Sequence, residues 1–156
     1  MVRIKSLTPS EQLGLLKHEF PESIGSVRKG CMVWSGDFQP SSLSERYKLR
    51  IVYLQGKYPK AYIDSPKPLK LAEGAKILPH TYNYHDGKQQ ICLFLPPEWN
   101  ASMLISNTIV HWAIQWMYYY ELWASTGMWL GGGHGNWDVK KPLSNLSFAL
   151  NCTINC

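Results

Sequence analysis

The chain has 156 residues, 45% of them hydrophobic, which suits one domain with a sizeable core. Its 16 Lys and Arg against 11 Asp and Glu leave a net charge of +5, yet the basic residues are scattered (Arg3, Lys5, Arg28, Lys29, Arg46, Lys48, Arg50) rather than run together, which argues against a nucleic-acid footprint. Met1-Val2-Arg3-Ile4-Lys5-Ser6 lacks the apolar stretch of a signal peptide, and Cys31, Cys92, Cys152 and Cys156 form no CxxC framework, so a cytoplasmic protein with reduced thiols is expected.

Thr8-Pro9-Ser10-Glu11 opens the first element as a helix start. Thr8 can cap, Pro9 suits the first helical position, and Glu11 can reach back to the free backbone amide. Leu13, Leu16 and Phe20 then share a face, and Pro21 ends the helix. Ser26 to Trp34 alternates as a strand with Val27, Cys31 and Val33 on one side, followed by a turn through Gly36, Asp37, Pro40 and several serines. Tyr47 to Leu54 is the clearest strand: Tyr47, Leu49, Ile51 and Tyr53 point one way, Lys48 and Arg50 the other. After Gly56 and Pro59, Ala61-Tyr62-Ile63 forms a short third strand, and the brief connections make the three an antiparallel meander.

An irregular, turn-rich segment leads through Cys92 to a long helix expected from about Ala101 to Thr126, capped by Asn100 or Ser102 and ended by Gly127. Its apolar window, Met103 to Trp123, is broken by Asn107, His111, Gln115 and Glu121, which points to a buried helix rather than a membrane span. Seven Trp and nine Tyr imply a core or docking face of large flat rings, and Trp112, Trp116, Tyr119, Tyr120 and Trp123 make one stripe at helical spacing. The stripe is expected to pack on the sheet. Gly131-Gly132-Gly133-His134-Gly135 reads as a flexible segment. The core should lie between residues 8 and 135, with a weakly patterned tail over 136–156, in a single α+β domain.

Chemistry concentrates on Cys92. It follows Pro79-His80-Thr81-Tyr82 and a turn at His85-Asp86-Gly87, and it begins Cys92-Leu93-Phe94-Leu95 ahead of Pro96-Pro97 and Trp99. A thiolate can hold an acyl group as a thioester, and with a thiol pKa near ~8.5 a few per cent is ionised at neutral pH without help. That is enough for thioester exchange with an already activated donor, which needs no hydrolase triad. It does need a polar group near the reacting carbonyl to steady the oxyanion.

Pro79-His80, Asp86-Gly87, Ile91-Cys92-Leu93 and Trp99, with Tyr53, Gly56, Tyr58-Pro59 and Pro66 upstream, resemble ubiquitin-conjugating enzymes over roughly residues 8 to 126. Downstream, Asn107-Thr108-Ile109, Trp112, Trp116, Tyr120-Glu121, Trp123, Thr126-Gly127, Trp129 and Gly131-Gly132-Gly133-His134 resemble the branch found in antiphage operons of the CBASS type. The resemblance implies a ubiquitin-conjugating fold and a Cys92 thioester with the C-terminus of a cGAS/DncV-like nucleotidyltransferase, priming antiphage signalling. A separate activating enzyme would supply the acyl group, since no second domain is present to hold ATP. The family tripeptide His-Pro-Asn is altered: the order here is Pro79-His80, with Asn83 displaced, so His80 or Asn83 is the candidate for steadying the oxyanion. The rival is a non-catalytic adaptor of the same fold that binds the nucleotidyltransferase without acyl transfer.

The remaining candidates have plainer expectations. Cys31 on a strand should be a small core residue and His111, among tryptophans, a core histidine. Trp99 should pack beneath the cysteine segment. Cys152 and Cys156, four apart, could join His134 or His85 as metal ligands on paper, but the spacing fits no standard zinc module, so neither metal nor cofactor is expected. The sequons at Asn100, Asn145 and Asn151 carry no weight without a secretory route.

Overall fold

A computed structural model describes residues 5–82, 84–133, 135 and 138–139. Its elements run α1 (Pro9–Glu19), β1 (Ile24–Arg28), β2 (Cys31–Phe38), β3 (Tyr47–Leu54), β4 (Lys60–Ser65), β5 (Gln89–Ile91) and α2 (Ile109–Thr126). The strands form one antiparallel sheet in sequence order, β1-β2-β3-β4-β5, so the architecture is α+β as expected.

Helix α1 starts as its sequence dictates. The Glu11 amide donates to Thr8 Oγ1 at 3.2 Å and the Thr8 amide to Glu11 Oε2 at 2.8 Å, a complete capping box. Leu16 is fully buried, while Leu13 and Phe20 are partly buried against the same core.

The expected strand over Ser26 to Trp34 is instead a hairpin. Lys29 and Gly30, both at positive φ (48° and 73°), make a two-residue turn, and Val27 pairs with Met32 and Gly25 with Trp34. Across such a turn the parity of the buried face reverses. Met32 and Trp34 therefore enter the core, whereas Val33 is exposed and Cys31 half-buried on the opposite face, so Cys31 is not a core residue. The turn expected at Gly36 and Asp37 lies inside β2, which runs on to Phe38. There a Cβ on Gly36 would come within 3.1 Å of the Trp34 and Phe38 rings, so these rings fill the space of its missing side chain.

Strand β3 buries Tyr47, Leu49, Ile51 and Tyr53 on one face, as alternation requires. Its outer face carries Arg50, which donates two bonds to the Asp64 carboxylate (2.7 and 3.0 Å) while lying 4.3 Å from the Tyr62 ring centroid.

The long helix is shorter than its pattern: α2 begins at Ile109, eight residues after Ala101. The reason lies in α1. The wholly buried Gln12 side chain donates to Met103 O at 2.9 Å and accepts from the Ile105 amide at 3.0 Å. These backbone groups would be needed for a helical ladder through 101–108, and Gln12 takes them. Asn100 does cap, but only a local turn, accepting from the Ser102 amide at 3.0 Å. Gly127, at φ 72°, ends α2 as expected.

The aromatic stripe is largely core: Trp116, Tyr120 and Trp123 are buried, Trp116 stacks on Tyr120 (5.3 Å), and Tyr120 meets Tyr47 of the sheet edge-to-face at 6.3 Å. His111 lies on the other face of α2 and is exposed, contrary to its expected place among the tryptophans. Among the described residues, no helix is long and apolar enough to cross a membrane.

Candidate functional site

Cys92 follows β5, the last strand in sheet order, and its position comes from a second hairpin. Asp86 and Gly87, both at positive φ, make the tip, closed by reciprocal bonds between His85 and Lys88 (3.3 and 2.9 Å). Back along the two arms, the Tyr82 amide donates to Gln90 O at 3.0 Å, Thr81 bridges Ile91, and the Cys92 amide donates to His80 O at 2.8 Å. The long interval between His80 and Cys92 is thus folded up. Its two ends lie opposite each other at the mouth of the hairpin.

Both ends are half-buried. The Cys92 sulfur lies 3.8 Å from Phe94 O. His80 sits at φ 48°, a region costly for most side chains but visited by histidine more than most. Its ring packs on Trp129 with centroids 5.1 Å apart, just past the end of α2. Asn83, the other candidate for steadying an oxyanion, lies outside the described residues, as do His134, Cys152, Cys156 and the sequons at Asn145 and Asn151. Among the described residues, no three His, Cys, Asp or Glu side chains gather as a metal site.

A cleft of 320 Å³ runs beside the cysteine segment, between Gly56 to Ala61 on one side and Ile91, Leu93, Phe94 and Pro96 on the other. Lys57 and Lys60 are its charged lining residues; no carboxylate lines it. Beneath the segment, Trp99 is buried edge-on against Tyr53 (5.7 Å) and Tyr58 (6.4 Å), and Phe94 bridges it to Trp112 of α2. The expected place of Trp99 is therefore right.

Sequence reasoning did not bring Trp129 into the site. The available signal was the glycine run beside it, because consecutive glycines after a helix often mark a close approach as well as flexibility.

A sequence profile described as type II CBASS E2 protein matches residues 12–136. The chain belongs to the type II CBASS E2 family. The matched span takes in the hairpin, Cys92, α2 and Trp129. No curated protein matches the chain. Family membership gives this E2 protein an E2-like role in CBASS antiviral defence.

Proposed function

We propose that this E2 protein is a single ubiquitin-conjugating-type domain whose Cys92 captures the C-terminal carboxyl of a partner protein as a thioester. The partner is the CBASS cGAS/DncV-like nucleotidyltransferase. The Cys92 thiolate attacks the carbonyl of a C-terminus already activated elsewhere, as an acyl-adenylate or a thioester on a separate activating enzyme. The new sulfur–acyl bond forms as the bond to AMP or to the donor thiolate breaks, and the leaving group departs with the electron pair. His80 is the candidate for steadying the oxyanion, with Asn83 the other.

The observation that supports this reading is the hairpin register, which pairs the Cys92 amide with His80 O and so brings the two candidate residues together. The neighbouring cleft adds support: it offers an apolar wall and two lysines along which an extended tail could lie. Co-expression with the nucleotidyltransferase and the activating enzyme, followed by a non-reducing gel, tests it. An adduct is expected that thiol reagents dissolve and that Cys92→Ala abolishes. A complex that forms without any covalent adduct would instead identify an adaptor.

A further inference from the structure

We propose that the strap after α2, through Trp129 and Gly133, is a clamp on His80 that positions the Cys92 site; the proposal rests on the acyl-capture reading above. Trp129 and Gly133 are positioning residues in it, acting through His80.

The strap is held at several points. The Val139 amide donates to Gly127 O at 2.9 Å, the Trp129 amide to Asp138 Oδ1 at 3.0 Å, and the Trp129 indole N–H to Gly132 O at 3.2 Å. These bonds keep the indole between α2 and the hairpin. On one side it meets Trp116 and Tyr119 of α2 (6.5 and 6.1 Å between centroids), and on the other the His80 ring at 5.1 Å.

Glycine is needed where the strap crosses. A Cβ on Gly133 would overlap the His80 imidazole, its Cε1 most severely, and φ 113° disfavours any side chain there. A Cβ on Gly131 would come 2.9 Å from the Tyr119 ring and 3.0 Å from Trp129. The glycine run therefore lets the chain lie directly against these rings.

His80 needs such a clamp. Its backbone is in a left-handed conformation, and its carbonyl receives the Cys92 amide. A histidine free to relax to ordinary φ would swing that carbonyl and release the amide that orients Cys92. With the indole on one side and Gly133 against it, the ring cannot turn without displacing the strap.

Two rates test this on the full chain: acyl capture from a C-terminally activated nucleotidyltransferase, and alkylation of Cys92 by iodoacetamide against pH, read by peptide mass. Trp129→Ala and Gly133→Ala should each slow capture by between about tenfold and a hundredfold while thermal unfolding stays cooperative. Trp129→Phe should restore most of the rate. In a His80→Ala background neither substitution should cost anything further, because the partner of the clamp is already gone. The alkylation profile of Trp129→Ala should depart from the wild type and coincide with that of His80→Ala.

Folded strap variants that capture at the wild-type rate overturn the proposal. So do losses that multiply in the His80→Ala background, or an alkylation profile that superimposes on the wild type. If Trp129→Ala unfolds, Gly133→Ala, which removes no ring, carries the same comparisons. Failure of the wild type to capture any acyl group contradicts the function proposed above, while the alkylation profiles still decide the clamp.

Discussion

Gln12 shows how one side chain, by holding Met103, 91 residues away, can set where the following helix begins. Its amide satisfies a carbonyl and an N–H of the segment before α2; the bond from the Ile105 amide is buried and that to Met103 O partly so. Gln12→Ala should therefore cost about 2–4 kcal/mol, since two backbone groups lose their partners without gaining water. Urea unfolding will show this as a lower midpoint at unchanged slope. Glu11, by contrast, is a surface group. Its bonds to Lys5 and the Thr8 cap lower its pKa from 4.5 to about 2. A depressed carboxylate stabilises the fold fully above its unfolded value, and that contribution fades as pH falls from about 4.5 toward 2. Glu11→Gln should flatten this acid limb in a series of melting temperatures against pH. Tyr120 has the opposite sign. Burial pushes its phenol up to about 12, so its contribution is complete below the ordinary value of 10.0 and is lost as pH rises through 12.

At the scale of elements, legibility followed the range of the forces involved. The α1 cap, the β3 alternation and the Gly127 stop are local, so Thr8, Glu11, Tyr47 to Leu54 and Gly127 could be read directly. The β1–β2 turn was hidden because Lys29-Gly30 lacks the Asn or Asp that marks such a turn, and missing it put Cys31 and Val33 on the wrong face. Gly30 has open space around it, so Gly30→Ala should cost only the left-handed backbone penalty, about 1 kcal/mol, in the same urea experiment. The start of α2 was hidden by a long-range cause, Gln12, that no pattern within residues 101–108 contains. Strand β5 was missed because three residues carry too little alternation to be seen; its pairing with β4 and the Thr81 bridge hold it in place. Glu121 links elements in the same unannounced way, accepting from the Glu45 amide and the Tyr47 hydroxyl and so tying the β2–β3 connection to α2. Glu121→Ala should release that connection, seen as faster amide exchange at Glu45 with little change in the hairpin that bears Cys92.

For the whole molecule, the site was legible as a set of residues and not as an arrangement. The motif around Ile91-Cys92-Leu93 pointed to the thiol and the family. The Asp86-Gly87 tip pairs His85 with Lys88, a register that would carry His80 to Leu93; the pairing shifts by one residue before Thr81 meets Ile91, and that shift, which sets His80 opposite Cys92, has no signature in the sequence. The contact of Trp129 with His80 depends on the chain turning back after α2, which distance along the sequence conceals. Gly133, in the glycine run expected to be flexible, lies directly against the His80 ring. The most direct test of the central claim uses purified E2 protein and a nucleotidyltransferase carrying a synthetic C-terminal thioester, which removes the need for an activating enzyme. Intact-mass measurement should show the acyl group moving to the E2 protein, at Cys92 by peptide mapping, with release by hydroxylamine and no transfer to Cys92→Ala. No transfer to the wild type, or transfer that persists in Cys92→Ala, would contradict the account.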